Sequence, residues 1–276
     1  MTATKDFKLG KQEHVYDERT LRLGNFMAAE IVRPRRYDFD SKRAGFPLDA
    51  WGNTDWGNCV KVCEANHTVR LERLEQKRTL KVSTAQVVEE YKAEILRQFG
   101  QTTEKPGDPN DSGLVMLHNL RNWRKVGWPL DFTKKENDTR VYKIAAFGEL
   151  ESNDPDQLKN AIYLLHGVQL GIWLPRAAQA MTRKGTWDYN GESGPEWAPV
   201  SWGGHAVYAK AYDIESIEVL TWGQKVKVTN NFIAQYCDEA WGVVDSFNHW
   251  KGRTEIDVQA LIQRLRDVGA SNIEDV

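Results

Sequence analysis

Apolar residues recur at helical spacing up to about residue 165 and at strand spacing in much of the chain beyond it. From Cys59 to about Leu74, the positions Val62, Cys63, Asn66, Val69 and Arg70 share one side of a 3.6-residue repeat, which predicts a helix starting at Cys59. Ser83 or Thr84 can cap a second helix, Ala85–Phe99, with Gly100 as its stop. Ser112 opens a third helix that Gly127 closes. The fourth is the best signalled: Asp154 is a capping residue, Pro155 suits the first helical position, and the pattern runs to Leu165 before Gly167. The period then changes. Val168–Leu174 reads as a strand ended by Pro175, and His205–Tyr212 and Ile217–Trp222 as two more. Helices from Asn230 to Trp241 and from Ile256 to Arg266 complete the pattern.

Two stretches lack periodicity. Residues 1–48 are polar with scattered apolar positions, and they predict an extended arm with one short helix around Leu21–Ile31. Residues 176–203 are rich in glycine, proline and tryptophan and predict a long surface loop, a kind of segment that is often functional. Helices first and strands later imply an α+β layout instead of a doubly wound sheet. The expected division is an arm (1–48), a domain (49–250) and a C-terminal helix and tail (251–276).

Composition narrows the function classes. The net charge of −2 gives no basic field for nucleic acid, and the run Arg33–Arg36 is answered at once by Asp38 and Asp40. No stretch approaches the ~20 apolar residues that cross a bilayer, so no membrane partner is expected. No apolar run follows Met1, so no secretory signal is read. Three cysteines, Cys59, Cys63 and Cys237, argue against a disulfide framework and for a reducing, cytosolic setting.

The candidate chemistry lies in Asn53-Thr54-Asp55-Trp56-Gly57-Asn58-Cys59 and Trp202-Gly203-Gly204-His205. A thiol at a helix start, near an imidazolium, can have its pKa lowered to ~3.5–7.5, which makes a nucleophile. His205 follows two glycines at the start of an apolar strand, where a side chain can face a cleft. Cys59, Cys63 and His67 also share a helix face, but three successive turns spread them over ~12 Å, too far for one zinc ion with bonds of ~2.0–2.3 Å. No metal and no cofactor are expected, and His14, His118, His166 and His249 read as structural.

Together these motifs resemble the papain-like cysteine peptidases. Gly57-Asn58-Cys59 is similar to their nucleophile turn, Gly204-His205-Ala206-Val207 to their histidine strand, and Thr221-Trp222-Gly223 to the Ser-Trp-Gly after their third active-site residue. His205 lies 146 positions after Cys59, within the family's separation of roughly 130–150. In detail the chain looks most like papain-like proteins of tailed bacteriophages, with the likeness running over about residues 45–245. The resemblance implies Cys59 and His205 as the catalytic pair and Asn53 as an oxyanion donor in place of the family's glutamine. It implies Trp56, Gly57, Trp202, Gly204 and Trp222, with the Trp187–Trp197 loop, as the substrate groove. The family's histidine-orienting asparagine aligns with Leu220, which has no polar group; Thr221 or Asp213 could serve instead.

Two functions follow as expectations. One is Cys-His hydrolysis of peptide or isopeptide bonds, with a peptide or protein as substrate. The other is a catalytically silent fold serving as a virion structural or binding protein, with other virion proteins as partners. Either would be made in the host cytoplasm, and incorporation into the particle is expected for the second.

Overall fold

The computed structural model describes residues 7–42, 45–76, 80–129, 141–245 and 254–270. Its helices are α1 (Cys59–Gln76), α2 (Thr84–Phe99), α3 (Met116–Lys125), α4 (Pro155–Leu165), α5 (Ala178–Lys184), α6 (Asn230–Tyr236) and α7 (Val258–Ala270). The strands in chain order are β1 (Tyr37–Asp38), β2 (Trp128–Pro129), β3 (Val141–Tyr142), β4 (Ala146–Leu150), β5 (Val168–Leu174), β6 (Thr186–Trp187), β7 (Gly203–Tyr212), β8 (Ser216–Thr221), β9 (Gln224–Thr229) and β10 (Cys237–Val244). The main sheet has the order β4-β10-β5-β7-β8-β9-β6, with β1 added to β7. Its pairings are antiparallel except β6 with β9. The fold is α+β, as the element order implies.

Helix α1 is buried on every side from Cys59 to Glu72, which is why its apolar stripe is weak. Charged residues on such a helix need partners. Lys61 Nζ lies 3.0 Å from Glu64 Oε2, and Asn119 Nδ2 on α3 donates to the same oxygen at 2.8 Å. Arg70 pairs with Asp40 at 2.7 Å. One face of the sheet packs with α1, α2 and α3 around Cys59, Val60, Tyr91, Leu120, Ala206 and Tyr208. The other face packs with α4, α6 and α7 around Leu158, Ile162, Leu170, Val207, Phe232 and Leu261.

Four element expectations are corrected. α3 starts at Met116, without a side-chain cap of its own; Gln98 Oε1 on α2 accepts from the Val115 amide at 3.0 Å, and Ser112–Leu114 is engaged elsewhere. The helix expected to reach Trp241 ends at Tyr236, and the following run is strand β10, flanked by β4 and β5 and apolar toward both faces. Cys237 therefore sits on a strand. The loop 176–203 contains α5 and β6. The short helix near Leu21–Ile31 is a single 3-10 turn, Leu23–Phe26.

Residues 7–42 run along the domain. Leu23 is fully buried in the core, Arg22 bridges to Glu149, and Met27 bridges to Ile256 next to α7.

Candidate active site

Cys59 is the first residue of α1, and the preceding turn is held from both sides. Asn58 Nδ2 donates to the Trp51 carbonyl at 2.9 Å, and the Gly57 amide donates to Asp111 Oδ1 at 2.8 Å. The same Asp111 oxygen accepts from the Tyr91 hydroxyl at 2.7 Å, and Tyr91 in turn accepts from the Gly113 amide at 3.1 Å. This relay locks the cysteine turn to the 111–113 loop. Cys59 Sγ accepts from the Ala206 amide at 3.4 Å, so the sulfur rests against the peptide group that follows His205.

On β7, His205 Nε2 lies 2.6 Å from Thr221 Oγ1. Its ring lies flat on the Trp222 indole, with centroids 4.0 Å apart and planes 8° off parallel. Trp222 and Gly223 form the two-residue β8–β9 turn with φ of 48° and 70°, the conformation that twisted hairpins require. A tryptophan held at positive φ is unusual and stores local strain. That strain is sustained by the stack on His205 and by Trp222 Nε1, which donates to the Lys8 carbonyl at 2.8 Å. Leu220 pairs with Tyr208 across the strands and packs in the helix-side core. Strand alternation turns its neighbour Thr221 toward His205. Asp213 stays at the β7–β8 turn, where it accepts from the Glu215 and Ser216 amides and pairs with Lys227.

The space in front of Cys59 is filled by the chain itself. Residues 7–12 lie between the two walls of the cleft. The Gly10 and Lys11 amides donate to the Gly204 carbonyl at 3.2 and 3.1 Å. The Leu114 amide donates to Gly10 O at 2.8 Å, and the Gln12 amide to Leu114 O at 2.9 Å. The Lys8 carbonyl accepts from Asn53 Nδ2 at 3.4 Å as well as from Trp222. Phe7 packs on Trp222 at 4.8 Å and edge-on to Trp202 at 6.3 Å. The fit is backbone on backbone: a Cβ on Gly10 would lie 1.8 Å from Gly57 O, and one on Gly204 would lie 2.3 Å from Lys11 O.

This covering reverses the electrostatics expected of a nucleophilic cysteine. Cys59 is 1% exposed, and burial pushes its thiol up to about 12, against the pull of the Ala206 amide, Lys11, and the Val60 and Gly10 amides. Burial also pulls His205 down to about 3. In this state thiol and imidazole are both neutral, and among the described residues no hydrogen bond joins Cys59 to His205; the helix start does not outweigh the loss of water.

Asn53, the expected oxyanion donor, and Gly57, Trp202, Gly204 and Trp222 of the expected groove all line the seated segment. Asn53 Nδ2 also donates to the Trp56 carbonyl at 3.0 Å. The Trp56 ring instead packs edge-on to Tyr91, under Lys92. Trp187 is a core residue stacked on Phe232, and Trp197 packs on Tyr189. His67, on α1, is fully buried against Tyr208 and Trp123. Among the described residues no group of three His, Cys, Asp or Glu could hold a metal ion, and no helix is long and apolar enough to cross a membrane. Sequence reasoning missed Asp111, Tyr91 and the seated segment 7–12. The alternation of Phe7 and Leu9 before Gly10 is its only trace.

The fold has solved counterparts. Xylellain, a cysteine protease from Xylella fastidiosa, superposes with a TM-score of 0.61 at 15% identity, covering 89% of this chain and 99% of that one. A cysteine protease from Carica candamarcensis gives 0.53 at 14% identity over 78% and 100% of the two chains. The ragweed pollen cysteine protease Amb a 11, in its proform, gives 0.54 at 16% identity over 79% and 69%. No protein-family model matches the chain, and no curated protein sequence does. At these identities the likeness establishes a papain-like fold.

Proposed function

We propose that the protein is a papain-like thiol hydrolase of peptide or isopeptide bonds, held latent by its own residues 7–12. The observation that carries this reading is the 2.6 Å contact between Thr221 Oγ1 and His205 Nε2. If Nε2–H donates to Thr221, Nδ1 is the basic nitrogen, and Nδ1 makes no hydrogen bond among the described residues. With the cleft open, Nδ1 takes the Cys59 proton and the thiolate attacks the substrate carbonyl carbon. The oxyanion is met by Asn53 Nδ2 and the Cys59 amide. As the C–N bond breaks, His205 returns its proton to the leaving amine. Water then attacks the thioester carbonyl, giving a proton to His205; the C–S bond breaks, the carboxylic acid leaves, and His205 returns the proton to the sulfur.

The test is hydrolysis of a peptide mixture by full-length chain carrying Gly10→Ala, with the Gly10→Ala/Cys59→Ala double variant as control. Cleavage by the first alone supports the reading; no cleavage by either rejects it.

A second reading keeps the fold without the activity, as a component of a phage particle, and the filled cleft and neutral thiol favour it. Both the tailed-phage attribution and manufacture in a host cytoplasm rest on motif resemblance. Fixed stoichiometry of the protein in purified particles supports a structural role, and its presence only in the free fraction of a lysate rejects it.

A further inference from the structure

The seated segment shows what the cleft accepts, and one of its side chains enters a built pocket. Lys11 is 4% exposed although it is a lysine near the start of the chain. Its Nζ lies 2.7 Å from Asp238 Oδ2 and 3.0 Å from Glu239 Oε1, and it donates to the Gln12 carbonyl at 3.2 Å. It also sits 4.4 Å over the Trp173 ring. Every wall of this pocket belongs to the sheet. Glu239 on β10 is paired in register with Gly171 on β5, and Gly171 with Ala206 on β7, whose amide touches the Cys59 sulfur. Glu239 is held in place by its second oxygen, which accepts from Trp241 Nε1 at 2.8 Å. Gly171 makes the room: a Cβ there would lie 2.3 Å from Lys11 Cε.

A pocket with two carboxylates and an aromatic wall suits a cation on a long apolar stem. Burial alone would lower the Lys11 pKa, but Glu239 and Asp238 together hold it above its ordinary value. Apart from the Gln12 carbonyl, the groups that meet the Lys11 side chain lie on β5 and β10, outside residues 7–12.

We infer that the pocket of Trp173, Gly171, Asp238 and Glu239 is a specificity site for a lysine or arginine side chain of the peptide that replaces residues 7–12 in the cleft. This deepens the hydrolase reading and rests on it. The side chain to be recognised lies beside the strand position that abuts Cys59, so the pocket selects a basic residue close to the bond cut.

Binding tests the pocket separately from catalysis. The protein is the full chain with Gly10→Ala, whose added Cβ cannot coexist with the seated segment. The probe is the fluorescently labelled hexapeptide Phe-Lys-Leu-Gly-Lys-Gln, compared with the same peptide carrying Arg, Ala or Glu at its fifth position. Fluorescence anisotropy should show the Lys and Arg peptides binding about tenfold or more tighter than the Ala peptide, and the Glu peptide weakest. Asp238→Asn with Glu239→Gln should abolish that order. Equal affinities, or no binding of any peptide, overturn the pocket. Lys-selective binding without hydrolysis keeps the pocket and removes the hydrolase; hydrolysis without Lys selection does the reverse. Should Gly10→Ala not fold, Lys11 variants of the otherwise intact chain give the answer through alkylation of Cys59. Lys11→Arg should keep the thiol covered and Lys11→Glu should expose it; equal protection in both overturns the inference.

Discussion

The hydroxyl of Thr221 meets Nε2 of His205 at 2.6 Å, one residue beyond Leu220, where the resemblance to papain-like peptidases leads one to expect an asparagine. The Trp222 indole beneath the ring fixes its plane, and Thr221 fixes its rotation.

Removing that contact should slow the chemistry more than binding. In the Gly10→Ala chain, Thr221→Val is expected to lower kcat about 5–10-fold, the worth of one hydrogen bond of ~1–1.5 kcal/mol, with KM little changed. Thr221→Ser should restore most of the loss. A kcat unaffected by Thr221→Val would show that His205 is positioned by the Trp222 stack alone.

The buried ion pair of α1 gives a prediction on stability. Glu64 is fully buried and joins Lys61 to Asn119. Glu64→Ala leaves the Lys61 ammonium buried without this partner, with Glu94 at 4.0 Å and the charge of Glu90 remaining. A loss of about 3–5 kcal/mol is expected, read from urea unfolding. A loss under ~1 kcal/mol would mean that water or Glu94 compensates fully.

Acid should destabilise the fold through its buried histidines. Burial, with Arg70 and His166 adding to it, holds His67 at about 3, against an ordinary value of 6.5. Between those values the unfolded chain binds a proton that the folded chain refuses, so stability falls as pH drops from about 6.5 toward 3. His205 acts in the same direction. His67→Phe removes one of these protons, so its urea midpoint should fall less than the wild type's across that window. Parallel curves for the two proteins would show that His67 is not neutral in the folded state.

Much of this arrangement is legible in the sequence, and the gaps have physical causes. The helix start at Cys59 and the strand that carries His205 follow from glycine turns and from a change of period, although β7 begins two residues earlier than expected, at Gly203. Strand β10 was hidden because Ala240–Val244 is apolar toward both faces, and such a run carries no alternation to separate it from a helix. The occupied cleft was hidden because residues 8–12 bind chiefly through their backbone, which leaves no pattern in residue type. Lys11 looked like one more polar arm residue, since its carboxylate partners are 227 and 228 positions away. Leu220 drew attention as a missing asparagine, while the contact was made by the adjacent side chain that alternation turns toward His205.

The central claim is that Cys59 is a working nucleophile covered by residues 7–12, and the rate of thiol alkylation tests it most directly. Iodoacetamide at pH 7, followed by mass spectrometry of each cysteine, should find Cys59, Cys63 and Cys237 all slow in the native wild-type chain, because all three are buried with raised thiol pKa. Full-length Gly10→Ala should react at Cys59 at least about tenfold faster than at the other two, through the thiolate that His205 and the helix start then favour. Adding His205→Ala should remove most of that advantage. If Cys59 in the Gly10→Ala chain reacts no faster than Cys63 and Cys237, the cysteine is inert and the account is wrong.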